Sequence, residues 1–189
     1  MPRAWVPGLS LLIALSVVRA ATPAGGGLKP GLWEVQVVKQ VVDGHDISAQ
    51  LQASLTEAQR LLNSLPPAQR AHLMGLLNQA GVTTGTDGSF RICVSPQMAQ
   101  RDLLFFDRDG RCRPSVTSRS GNQLRFRVQC TTQGTTMTGQ GQATLGPDLI
   151  TSRMDLTTRS GDGASHAVQN VTQMRYISGD CGELRPPSG

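Results

Sequence analysis

The 189 residues carry 18 Lys and Arg against 13 Asp and Glu, a formal net charge of +5, with few aromatic residues. A chain of this length buries enough surface to fold as one domain without a metal or many disulfides. The positive balance is too modest to argue for a polyanion partner by itself, because Arg3 and Arg19 fall in a leader segment.

That leader is residues 1–20. A short basic stretch, Met1-Pro2-Arg3, precedes an apolar run from Leu9 to Val18 interrupted only by Ser10 and Ser16, and Val18-Arg19-Ala20 supplies small residues for cleavage after Ala20. The run is too short to span a bilayer, so it reads as a secretory signal peptide, and the mature protein is expected in the periplasm or outside the cell. No cysteine follows the cut, which argues against a lipid-anchored N-terminus. Residues 21–30 are small and Gly-rich and read as a flexible linker.

From Gly31 to Val42 the chain alternates. Trp33, Val35, Val37 and Val41 fall on one face and Glu34, Gln36 and Gln40 on the other, the pattern of a half-buried strand. Residues 46–81 switch to helical spacing, with Leu51, Leu55, Ala58, Leu62 and Leu65 on one stripe. Ser54 with Glu57 has the form of a capping box and predicts that the helix starts there. Pro66-Pro67 ends it, and Pro67 opens a second helix carrying Leu73, Met74, Leu77 and Ala80, closed by Gly81. A helical hairpin is therefore expected between two strands, plugging one face or end of the sheet or serving as a lid.

The remainder reads as β. A short strand at Phe90–Val94 stops at Ser95-Pro96, and Asp107-Arg108-Asp109-Gly110 is a turn that lacks the other ligands of a calcium loop. Strands at 112–119 and 123–131 flank Ser120-Gly121-Asn122, and further strands near 134–145, 148–158 and 164–177 follow Gly-rich turns. The fold class is thus mainly β: a curved antiparallel meander or partly open barrel of about seven strands over 31–182, with a tail at 183–189.

Four cysteines, at 93, 112, 130 and 181, read as two disulfides in an exported chain. A three-residue loop at 120–122 pairs Arg119 with Gln123, and counting outward sets Cys112 opposite Cys130. A two-residue loop would oppose residues of unlike face. This favours Cys112–Cys130 and leaves Cys93 with Cys181, while a Cys93–Cys112 bond stays open because both lie near adjacent strand ends.

Two surfaces are candidate binding sites. Met137, Gly139, Gly141 and Ala143 share the inward face of one strand, and so small a row leaves volume for a bulky neighbour such as Trp33, for the helical hairpin, or for a small apolar or lipid-like ligand. On the outward face of the 112–131 hairpin, Arg113, Arg119, Arg125 and Arg127 share one side, with Arg108 and Arg111 just before it. Such a stripe suits lipid phosphates or an acidic protein partner, or simply keeps the hairpin soluble. Nucleic acid is not expected, because no aromatic residues interleave with the arginines.

Pro30-Gly31-Leu32-Trp33-Glu34, Leu65-Pro66-Pro67-Ala68-Gln69-Arg70 and Ile92-Cys93-Val94-Ser95-Pro96 form one series of motifs. Ser118–Asn122 leading to Val128-Gln129-Cys130, Met137–Gly141, and a closing Gly179-Asp180-Cys181 continue it. In order and spacing these pieces resemble the bacterial exported domain-of-unknown-function family 3617, across essentially the whole mature chain. The resemblance implies the compartment and a single domain; it brings no activity, cofactor or catalytic residue.

No catalytic motif appears: there is no GxSxG, HExxH, P-loop or GxGxxG. His45, His72 and His166 read as surface histidines, and the scattered Cys and His give no metal site. Asn170-Val171-Thr172 carries no meaning in a bacterial strand. The sequence therefore predicts a non-enzymatic envelope protein without cofactor, binding a small apolar ligand or, through its arginines, an envelope protein. An enzyme of unfamiliar type would require a cleft that brings His166 together with carboxylates.

Overall fold

The computed structural model describes residues 28–85, 87–100 and 111–186. The leader, most of the linker, the Asp107–Gly110 turn with Arg108, and the end of the tail lie outside the described residues. The elements run β1 (Gly31–Val42), β2 (His45–Asp46), α1 (Ser48–Ser64), α2 (Pro67–Gln79), β3 (Val82–Thr84), β4 (Phe90–Val94) and α3 (Pro96–Ala99). Then come β5 (Cys112–Ser120), β6 (Gln123–Thr132), β7 (Thr135–Leu145), β8 (Leu149–Arg159) and β9 (Ser165–Ser178).

All pairings are antiparallel, in the order β3-β4-β1-β9-β8-β7-β6-β5, with β2 on the free side of β1. The expected mainly β fold with a helical hairpin after the first strand is present. The sheet is open, with β3 and β5 at its ends, and the two strands beyond the expected seven, β2 and β3, are only two and three residues long. Successive hairpins β5 to β9 form the meander, and β1 closes onto β9. Two of the connections are two-residue turns whose backbone needs positive φ: Asp43-Gly44 (φ 49° and 82°) and Gln133-Gly134 (24° and 81°).

Two β-bulges change faces that strict alternation assigns. In β1 the register shifts between Val37 and Lys39, so Gln40 pairs with Asn170 and Val41 with Gln169. Val41 consequently stands opposite to the Trp33 face where alternation had placed it, and Gln40 joins that face. In β5–β6 the loop is two residues, Gly121-Asn122, because Ser120 pairs with Gln123. An extra residue between Val116 and Ser118 then restores the Cys112–Cys130 pair. Both disulfides form, Cys112–Cys130 and Cys93–Cys181, and there is no Cys93–Cys112 bond.

The apolar face holds the core. Trp33 is fully buried with Val35, Ile92, Val94, Ala99, Ile150 and Met174 packed around it. Its ring meets Tyr176 edge-on at 5.4 Å, and its indole N–H donates to the Lys29 carbonyl at 2.8 Å, which satisfies the polar atom such a ring buries. A second cluster of Leu124, Phe126 and Ala143 lies toward β6, and Leu145 touches both.

The helical insert covers an edge rather than a face. Beyond Val35 β4 no longer pairs with β1, and α1 takes over: Gln52 Nε2 donates to the Val37 carbonyl, Ile47 N to Gln40 O, and Gln40 N to Ser48 Oγ, each at 2.9 Å. These bonds satisfy strand groups that an open edge would present for aggregation. The break at Pro66-Pro67 is as expected, but α1 starts at Ser48, where Asp46 Oδ1 accepts the Ser48 N–H at 3.0 Å. Ser54 and Glu57 therefore lie inside the helix and form no capping box; Glu57 instead approaches Arg60 at 3.4 Å. Neither helix contributes a fully buried residue, and Leu61, Leu73 and Leu76 are exposed.

Candidate functional site: the polar face of the meander

Gly139 pairs with Val128 and Leu156, Gly141 with Phe126 and Met154, and Ala143 with Leu124 and Ser152, all on the apolar face. The space over the glycines is taken. A Cβ on Gly139 would lie 2.5 Å from Leu156 Cδ2, and one on Gly141 would lie 2.5 Å from Phe126 Cζ. The bulky neighbours are thus Phe126 and Leu156, not Trp33, which stands on β1 beyond β8 and β9. Met137, opposite Cys130, ends the row beside the disulfide.

The opposite face is mostly polar, although Val41, Leu149 and Val171 also stand on it. Strand register lines up Ser118, Arg125, Gln142 and Arg153 across four strands, and beside them Ser115, Arg127, Gln140, Asp155 and Gln169. Strand spacing of about 4.8 Å places Arg125 and Arg153 roughly 10 Å apart across Gln142, and pleat spacing places Arg125 and Arg127 about 7 Å apart. Between these side chains runs a groove of about 420 Å³ that all three arginines line with Gln140, Gln142 and Asp155. It continues on one side into a space of about 160 Å³ past Thr144 and Thr151, and on the other into about 420 Å³ past Thr138, Thr157 and Gln169.

Of the predicted stripe, Arg113, Arg125 and Arg127 share this face; Arg113 pairs with Gln129 at its margin and lines none of the three spaces. Arg119 does not belong to it. The β5 bulge sets it opposite Leu124, on the other side of the sheet. Arg153 and Asp155 replace it, and alternation alone did not find them because their strand had no assigned partner. Arg125 and Arg127 make no ion pair with any described residue, whereas Arg153 Nη2 lies 3.7 Å from Asp155 Oδ1. With both side chains about half exposed, that pair is weak and leaves the arginine available. Guanidinium groups gathered without matching carboxylates give the groove a positive potential that attracts anions.

Glu34, beyond this groove on the same face, has another task. It accepts from Ser89 Oγ at 3.0 Å and lies 3.5 Å from Arg91 Nε, tying the loop between β3 and β4 to β1. Among the described residues, no histidine, cysteine or paired carboxylate lines the groove. One histidine does find a carboxylate. His166 Nδ1 stands 2.7 Å from Asp43 Oδ2 at the start of β9, lining none of the three spaces although its neighbour Ala167 lines one, with no nucleophile bonded to it among the described residues. The imidazole N–H holds the Asp43 carboxyl below its ordinary value, aided by the Ala167 N–H, and the same hydrogen bond raises His166. No group of three His, Cys, Asp or Glu among the described residues could hold a metal ion.

The sequence model for "Protein of unknown function (DUF3617)" matches residues 28–181. The chain belongs to the DUF3617 family. A Pseudomonas putida relative named "Uncharacterized protein in lpd-3 5'region" is 36% identical over 118 residues, covering 62% of this chain and 76% of the relative. No solved structure matches. The matched span of this DUF3617 chain runs from the Leu28 approach through the whole sheet to Cys181, so both disulfides and the polar groove lie within it.

Proposed function

We propose that this DUF3617 protein is an exported, non-catalytic binding scaffold that holds an anionic ligand on the polar face of its meander. The observation that carries the reading is the convergence of Arg125, Arg127 and Arg153 in one groove with a single carboxylate among them. The strands fix the backbone positions of the three arginines, so binding has to order only their side chains, at about 0.5–1.5 kcal/mol each. The filled glycine row favours this face over the apolar one for a ligand. Two formed disulfides are compatible with an oxidising compartment, and no described helix is long and apolar enough to cross a membrane.

The test is calorimetric titration of the protein with inorganic pyrophosphate at two ionic strengths. Saturable binding that weakens with salt and vanishes in R125E/R153E supports the reading. Absence of binding, or binding that the double variant leaves unchanged, removes it.

A further inference from the structure

The groove is chemically uneven along its length. Arg125 and Arg153 stand at one end, flanking Gln142 and shared with the smaller space beyond. Past Arg127 and Asp155 the lining combines the hydroxyls and amides of Thr138, Thr157, Gln140 and Gln169 with apolar atoms of Leu156, Ala167 and Val168, without further charge. No aromatic ring of a described residue lines that second space, so a stacking ligand finds no ring to rest on. Asp155 and Arg127 stand in one register row at the junction, and both line the two larger spaces. Asp155 Oδ1 is shielded from solvent without a hydrogen bond, so the exposed part of this carboxylate belongs to its other oxygen. That oxygen is an acceptor in the path of whatever extends from the arginines, and a carboxylate there repels a second anionic group while accepting from a hydroxyl.

Resting on the anion-binding reading, we infer that the ligand is a hydroxylated anion: one phosphate or carboxylate held between Arg125 and Arg153, with a hydroxyl-bearing body directed past Asp155 along Thr138, Thr157 and Gln169. A long polyanion with evenly spaced charges fits poorly, because beyond Arg127 and Asp155 the trough carries no further charge. The amides of Gln140 and Gln169 both donate and accept, which matches hydroxyls in either orientation. Two or three neutral hydrogen bonds in this segment amount to about a tenfold gain in affinity over the bare anion.

Two sources offer this chemistry, a soluble sugar phosphate and the glycerol-phosphate headgroup of a lipid. The experiment compares inorganic phosphate, glucose 6-phosphate and glucose by calorimetry, and, by co-sedimentation, vesicles of phosphatidylglycerol against phosphatidic acid, which is anionic but lacks the glycerol headgroup. Glucose 6-phosphate binding about tenfold tighter than phosphate, with glucose silent, supports the inference and names the soluble source. Selective capture on phosphatidylglycerol vesicles supports it and names the headgroup. In T157V/Q169L, checked for folding by circular dichroism, the gain should disappear while phosphate affinity stays. If phosphate binds and neither hydroxylated source binds more tightly, the hydroxylated ligand is overturned and the anion site stands. If no anion binds at all, both readings fall together.

Discussion

The Asp43 carboxylate joins the first turn of the sheet to the last strand, with one oxygen 2.7 Å from His166 Nδ1 and the other accepting the Ala167 N–H at 2.8 Å. Asp43 can do this because it adopts φ 49° in the turn before Gly44, and its own N–H reaches the Ala167 carbonyl at 2.8 Å. Sequence spacing does not bring these residues together; the β1–β9 pairing does.

A pH dependence follows from this contact. The hydrogen bond from His166 lowers Asp43 and the same bond raises His166, with the charge of Asp162 adding to the latter. A raised histidine contributes stability that is complete below about pH 6.5 and is lost as pH climbs through its folded value. A lowered aspartate contributes stability present above about pH 3.9 and lost as pH falls through its folded value. The clasp is therefore strongest between about pH 4 and 6.5. NMR titration should show His166 titrating above the ordinary histidine range, and D43N should return it to that range; a D43N protein with an unchanged His166 midpoint would contradict the contact.

The second expectation concerns the glycine row. Gly141→Ala puts a methyl against the Phe126 ring and the Arg153 carbonyl, and overpacking of this kind costs about 1–3 kcal/mol. Phe126→Leu shortens the side chain, so the double variant G141A/F126L should lose less stability than the sum of the single changes. Denaturant unfolding of the four proteins measures this coupling. Strict additivity would mean that the row is not filled by Phe126.

Much of this architecture was legible, and the reasons differ by residue. Trp33 and Val35 on one side and Glu34 on the other follow from alternation, and Pro66-Pro67 dictates the helix break. Counting outward from a three-residue loop gives the Cys112–Cys130 pair although the loop has only two residues, because the bulge after Val116 supplies the compensating residue. Val116-Thr117-Ser118 contains no glycine or proline to announce a bulge, and neither does Val37-Val38-Lys39. One unseen bulge moved Arg119 off the polar face, and the other moved Val41. Arg153 and Asp155 were invisible for a separate reason: a strand's sequence gives its two faces but not which neighbour's side chains stand beside them.

The two disulfides should differ in worth. Cys93–Cys181 closes 88 residues and Cys112–Cys130 only 18, between strands already paired. Loop-closure entropy makes the longer link more stabilising by about 1.4 kcal/mol. Thermal unfolding of C93S/C181S should occur at a lower midpoint than that of C112S/C130S, and the reverse order would show that strain or residual unfolded structure outweighs chain entropy.

The bulge in β5 makes the sharpest distinction among the arginines. Arg119 and Arg125 are close in sequence number across one tight hairpin, and both are exposed, so composition treats them alike. Register does not: Arg125 stands beside Gln142 in the groove, while Arg119 is opposite Leu124 on the other face. Removing a guanidinium that contacts an anion should weaken pyrophosphate binding by roughly tenfold or more, since a charge-assisted bond contributes about 1.5–3 kcal/mol. R125Q should therefore lose most affinity and R119Q almost none, measured in the same titration at low salt. Equal losses would place the anion at the hairpin tip, reached from both faces, and not in the groove between Arg125 and Arg153.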